Sequence, residues 1–265
     1  MFVCHLAGHD HDVALTQDRV AKLALVREQR RKAEYLEQNR QRYLDLKLAR
    51  LVNSIVWPNC PLHDRIPLQF LCPLRSPKET DRRSISGHWE SQLLHRSVGY
   101  DSKAELAFIE MLEASNLVQG YCEQPVEIEY ALNGDIHRYF PDFLVDLSDG
   151  RRFLVEVKGS LDEFAKRTNM AKMAAAREYC DTRGWGLLST ANGRTLQDLV
   201  DRQVEQFVED LLRHRLARGV VGWPSFREFL QEHKLQWLDV AAIIYRKGWC
   251  WQTEPFRVSI APAGA

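Results

Sequence analysis

Over the first fifty residues the apolar positions recur at roughly helical intervals. From Arg19 to Arg50 there is no Gly or Pro, and Val20, Leu23, Ala24, Tyr35, Leu36, Tyr43, Leu44, Leu46, Leu48 and Leu51 keep that spacing, which predicts a helix. Pro58, Pro61, Pro67, Pro73 and Pro77 then read as an irregular connector. Ser86 to Tyr100 mixes aromatic and branched residues with polar ones, as an extended segment or short hairpin would. Ser102-Lys103-Ala104-Glu105 opens a second helix through Leu106, Phe108, Ile109, Met111 and Leu112 to about Asn116. Three strand-like runs follow, Pro125 to Leu132, His137 to Leu147 and Arg152 to Lys158. Their joints, Asn133-Gly134-Asp135 and Ser148-Asp149-Gly150, are hairpin-turn sequences. A helix is expected from Asp162 to Thr182 and a strand from Trp185 to Thr190.

That order of helix, three antiparallel strands, helix and strand is an α+β core of αβββαβ type. Three regions are expected: 1–83, a basic helical arm and proline-rich connector; 84–192, the α/β core; and 193–265, a C-terminal unit entered through Ala191-Asn192-Gly193. In the last, a long amphipathic helix from Thr195 to about Arg218 precedes helices at Ser225 to His233 and Trp237 to Lys247. A hairpin of Trp249 to Trp251 with Phe256 to Ile260 completes a winged-helix outline. Its second helix offers Asp239, Ile243, Ile244 and Tyr245, with basic residues only at Arg246 and Lys247. A base-reading helix is more polar, so protein docking is favoured over DNA reading; a cap that merely completes the core is the alternative.

Composition narrows the class. The 265 residues are 45% hydrophobic and 27% charged with zero net charge, which fits a folded globular protein and argues against disorder. No apolar run approaches a membrane span, and Met1 to Asp12 holds three histidines in place of a signal-peptide core. A cytoplasmic, non-membrane protein is expected. The six cysteines form no C-x-x-C pair, so reduced thiols are expected. Cys60, His63 and Cys72 lack a fourth zinc ligand at normal spacing, and His5, His9 and His11 have no partner cluster. The charge balance is uneven: Arg19, Lys22, Arg27, Arg30, Arg31, Lys32, Arg40, Arg42, Lys47 and Arg50 face only Glu28, Glu34, Glu37 and Asp45. Either a solvated helix or a phosphate-facing arm fits that excess.

The residues with the most chemistry are Pro141-Asp142, Glu156-Val157-Lys158 and Glu105. Strand side chains alternate, so Glu156 and Lys158 share one face while Val155 and Val157 turn to the other. The turn at Ser148 to Gly150 brings Asp142 beside them. Charge in an otherwise apolar strand is costly unless it is paired or binds a cation. Roughly one E-x-K triplet arises by chance in a chain this long, so the weight lies on its setting. The competing readings are a salt bridge between Lys158 and Asp142, and Glu105 as a simple capping-box residue with Ser102.

Ser97 to Glu105 (SVGYDSKAE), Tyr121 to Pro125 (YCEQP), Tyr139 to Phe143 (YFPDF) and Leu154 to Lys158 (LVEVK) carry a family resemblance. Ser86 to Thr190 resembles the nuclease domain of the TnsA endonuclease subunit of heteromeric bacterial transposases, within the PD-(D/E)xK restriction-endonuclease-like superfamily. The resemblance implies Glu105, Asp142 and Lys158 as catalytic residues. Magnesium, with manganese able to substitute, would be held by Glu105, Asp142, Glu156 and the Val157 carbonyl. Gln124, in the Gln-Pro element, would be a supporting or DNA-facing residue. It further implies double-stranded DNA at element ends as substrate, cleavage at the 5′ ends, a separate TnsB-like transposase for the 3′ ends, and a TnsC-like AAA+ regulator docked on the C-terminal domain. A standalone restriction or junction-resolving nuclease, or a non-catalytic assembly protein of the same fold, shares much of this pattern.

Overall fold

The computed structural model describes residues 7–59, 67–75 and 86–260. His5, Cys60 and His63 lie outside the described residues, and Cys72 is exposed. Met1–Leu44 and Asp45–Ala265 are separate units. Helix α1, Ala7–Asn53, begins in the first and ends in the second. Within the first, Val20, Leu23, Tyr35, Leu36 and Tyr43 are exposed. The rough helical spacing thus forms a helix there whose named apolar side chains stay exposed. In the second unit Leu48 and Leu51 are fully buried.

In the second unit the end of α1 and a 3-10 turn at Leu68–Phe70 precede a hairpin, β1 (Gly87–Ser91) and β2 (Arg96–Tyr100), followed by α2 (Lys103–Ala114). Strand β3, Val118–Glu123, comes next, where no strand was expected. The run expected from Pro125 shortens to β4 (Ile128–Leu132), and the single strand expected from His137 to Leu147 divides into β5 (Asp135–Tyr139) and β6 (Phe143–Leu147). Pro141 causes that division, since it has no N–H to give to a ladder. The strands β4 and β5 pair only with each other, as a hairpin over Asn133 and Gly134, both at positive φ. β7 (Arg152–Lys158) leads through a 3-10 turn at Leu161–Ala165 to α3 (Arg167–Asp181), then to β8 (Gly186–Ala191) and β9 (Arg194–Thr195).

The central sheet has the order β3-β6-β7-β8-β9. β3, β6 and β7 are antiparallel, and α3 forms the crossover that makes β7 and β8 parallel. Phe108 of α2 packs on Phe143 with ring centroids 5.6 Å apart, which sets α2 on one face. Leu144 and Leu154 share a cluster with Ala176 and Cys180 of α3 on the other. This is the mixed α+β architecture of a restriction-endonuclease-like core.

The long helix expected from Thr195 is interrupted. It appears as α4 (Leu196–Val200) and α5 (Gln206–Ala217). Arg246 donates to the carbonyls of Val200 at 3.2 Å and Arg202 at 2.6 Å, satisfying backbone groups that a continuous helix would have used itself. β10 (Val221–Gly222), α6 (Trp223–Glu232), α7 (Trp237–Lys247), β11 (Cys250–Thr253) and β12 (Phe256–Ser259) follow, with the three strands in one sheet ordered β10-β12-β11. Their core is continuous with the turn that follows β7: Leu161, Phe164 and Ala165 lie in one cluster with Val240, Ile243 and Val258.

Gly186 at the start of β8 lies under Ile55 and Trp57; an added Cβ would stand 2.6 Å from Ile55 Cγ2 and 2.9 Å from Trp57 Cζ3. Gly186→Ala should therefore destabilise the fold by about 1–3 kcal/mol through overpacking, read as a lower urea midpoint with an unchanged slope.

Candidate active site

Asp142 sits immediately ahead of β6 and is held from three sides. Its N–H donates to the Val155 carbonyl at 3.0 Å, its carbonyl accepts from Gln124 N–H at 2.9 Å, and its Oδ2 accepts from Val157 N–H at 2.6 Å. By strand alternation it shares the α3 face with Leu144, and Glu156 and Lys158 share that face with Leu154. Glu156 is 3% exposed. Lys158 Nζ donates to Glu156 Oε1, while Glu156 Oε2 is buried with no hydrogen-bond partner among the described residues. Buried polar atoms are nearly always satisfied, so this oxygen marks a place for a donor or cation. Within a strand the N–H and C=O of one residue point the same way, so the Val157 carbonyl faces the Asp142 side.

Glu105 comes from the opposite layer, in the first turn of α2. Its Oε2 accepts from Asp101 N–H and its Oε1 from Ser102 Oγ, each at 2.8 Å, while Ser102 Oγ accepts from Glu105 N–H at 3.1 Å. Ser102 thus caps the helix, while Glu105 reaches back to the N–H of the residue before the cap, so only the Ser102 half of a capping box is formed. Burial raises the Glu105 pKa against the opposing hydrogen bonds from Asp101 and Ser102, and Lys158 is close enough to favour its charge. Asp142 is raised well above the usual carboxylate range by burial, then by the Glu156 and, more weakly, Glu105 charges, with Lys158 opposing. Burial pulls Lys158 down, but the Glu156 and Asp142 carboxylates outweigh it and raise its pKa. Asp142 therefore feels the charges of Glu105, Glu156 and Lys158 at the end of the sheet.

Gln124 lies behind them, buried, at φ +43°. Its Oε1 accepts from Arg75 Nε at 3.1 Å and its Nε2 donates to Asp101 Oδ2 at 3.4 Å; Arg75 also pairs with Asp101. Its side-chain amide is satisfied by neighbours. Two participants were missed from sequence, Arg75 and Lys172. Lys172 on α3 lies 5.5 Å from the Tyr139 ring and 5.9 Å from that of Tyr130. Its pKa is lowered by burial, with Glu156 and Asp142 opposing. The signal was available: Asn169, Met173, Ala176 and Cys180 form the buried stripe of α3, and Lys172 falls on it by helical spacing.

Among the described residues no three His, Cys, Asp or Glu side chains are gathered closely enough to form a ready metal cage. The donor set nevertheless suits a hard divalent cation: carboxylates, a carbonyl and an unpartnered buried oxygen. Residues 115–188 match the family model described as TnsA-like endonuclease N terminal. They form a TnsA-like endonuclease domain. This makes the domain a nuclease related to the TnsA transposase subunit. The matched span contains Gln124, Asp142, Glu156, Val157 and Lys158, and Glu105 precedes it. No curated protein matches the chain. Among the described residues no helix is long and apolar enough to cross a membrane.

The raised Asp142 pKa has a definite sign. Between the unfolded value near pH 4 and the raised folded value, the native state binds more protons than the unfolded one, so this group's contribution to stability falls as pH rises. Asp142→Asn, with chelator present, should melt above wild type at about pH 8, and the difference should vanish by about pH 4. Thermal melts across that range check it.

Proposed function

We propose that the TnsA-like domain is a metal-dependent DNA endonuclease whose site is Asp142, Glu156 and Lys158, with Glu105 at its edge. One observation supports the reading: within the nuclease-family segment, Asp142, Glu156 and Lys158 share one face at the end of β6 and β7, and one Glu156 oxygen is buried with no partner among the described residues. Asp142, Glu156 and the Val157 carbonyl would hold magnesium, or manganese in its place, and Glu105 retains lone pairs to join them. When bound there, the cation polarises the scissile phosphate and acidifies a water. Lys158, kept protonated by its carboxylate neighbours, orients the attacking water and offsets charge on the phosphoryl oxygens. Gln124 and Arg75 keep Asp142 and Asp101 in place.

In the wider role we infer, the chain cuts the 5′ ends of a mobile element in double-stranded DNA, beside a TnsB-like transposase that cuts the 3′ ends. The regions 1–83, 84–192 and 193–265 serve as arm, nuclease and docking module in a cytoplasmic complex. The helix-strand-helix-helix-strand-strand order of α5 to β12 supports a winged-helix reading of the last. Its α7 keeps its polar side chains inside the module: Arg202 donates to Asp239 at 2.6 Å, and Lys247 pairs with Glu209 at 2.8 Å. That favours docking of a TnsC-like AAA+ regulator over reading bases. The hydrogen bonds that tie Glu105 to Asp101 N–H and Ser102 Oγ at the start of α2 favour one second reading, a non-catalytic assembly protein; calorimetric magnesium titration separates the two, since only the enzyme binds the ion through Asp142.

Asp142→Ala and Lys158→Ala should each lower cleavage of labelled element ends by about 10²-fold or more, at the 5′ ends alone, when assayed with the partner subunits. Cutting at the wild-type rate by Asp142→Ala would sink the assignment.

A further inference from the structure

Lys158 also lines a cleft of about 440 Å³. Its walls are the β4–β5 turn at Asn133, the first turn of α3 at Arg167 and Thr168, and the β11–β12 hairpin from Trp251 to Glu254. Arg167 is half-buried in this wall. Among the described residues it forms no ion pair, and its hydrogen-bond contact is to Cys250 Sγ at 3.9 Å, a weak acceptor. A partly desolvated guanidinium without a carboxylate is an unmet demand for an anion.

The surrounding charges leave that demand in place. Lys158 is engaged by Glu156, and Lys166 by Glu163 at 3.1 Å. Glu163 Oε1 is taken up by the N–H groups of Gly159 and Ser160 at 3.1 and 3.3 Å. The other acid in the lining is Glu254, on the hairpin turn. Helix α3 has no side-chain cap at Lys166 and no acid in its first turn, so the positive end of its dipole adds to Arg167.

We propose that this cleft seats the phosphodiester backbone of the DNA strand beside the cut, with Arg167 and the first-turn amides of α3 on one phosphate. The proposal rests on the nuclease reading and adds that the C-terminal hairpin forms part of the DNA path. Arg167 is here a binding residue, outside the chemical step.

The test is fluorescence anisotropy of the full chain with a short labelled duplex, in chelator, over a range of salt. Arg167→Ala should weaken binding several-fold at low salt and reduce the slope of log affinity against log salt by about one; Arg167→Lys should keep most of both. Thr168→Asp puts an acid at an exposed position in the first turn, which favours the helix while repelling a phosphate. Weaker binding with an unchanged or higher melting temperature therefore excludes misfolding. Asp142→Ala should bind DNA as wild type does or more tightly. Wild-type affinity and slope in both Arg167→Ala and Thr168→Asp, alongside Asp142-dependent cutting, overturn this proposal alone. Failure of the wild-type chain to bind DNA overturns it together with the nuclease reading.

Discussion

The site depends on burying charge in the middle of a sheet. Every residue of β7 from Arg152 to Val157 is buried, Glu156 among them, and taking a carboxylate out of water costs several kcal/mol unless it is compensated. Lys158 compensates one oxygen and leaves the other bare. Asp142 and Glu105 are raised chiefly by their own burial, and the Glu156 charge adds to the shift of Asp142. A fold tolerates such a cluster because the surrounding layers, built on Phe108 and Phe143 on one side and Leu154 and Ala176 on the other, leave the strand nowhere else to go.

Asp142 is fixed by the same economy of backbone groups. Pro141 stops the pairing of β6 with β7, and the next N–H of β7, that of Val157, is met by the Asp142 carboxylate in place of a main-chain carbonyl. A side chain thus completes the last rung of the ladder, with the neighbouring carbonyl directed toward the same point. The aspartate is positioned as firmly as main chain while keeping its second oxygen for other work.

Much of this was legible in the sequence because it rests on local rules. The E-x-K alternation on β7, the turns at Asn133-Gly134 and Ser148–Gly150, and the capping pattern of Ser102 and Glu105 each depend on a few adjacent residues. β3 was not legible: Val118-Gln119-Gly120-Tyr121-Cys122-Glu123 has a mid-strand glycine and no clean alternation, since it is largely buried on both faces. The aromatic and branched residues on both sides of Pro141, from His137 to Leu147, read as one strand and hid the division there, although the proline itself was the clue. Lys172 and Arg75 were missed because their roles come from α3 and the connector folding over the site, which no short window contains. The interruption between α4 and α5 is likewise a tertiary effect, made by Arg246 from more than forty residues away.

The 3-10 turn at Leu161–Ala165 begins three residues after Lys158 at the end of β7, and its apolar side chains are packed among those of α7 and β12. Trp237 at the head of α7 also donates its indole N–H to Asp162 in that turn, at 2.8 Å. The C-terminal helices are therefore anchored directly on the segment that follows Lys158, so that segment and α7 share one packed core.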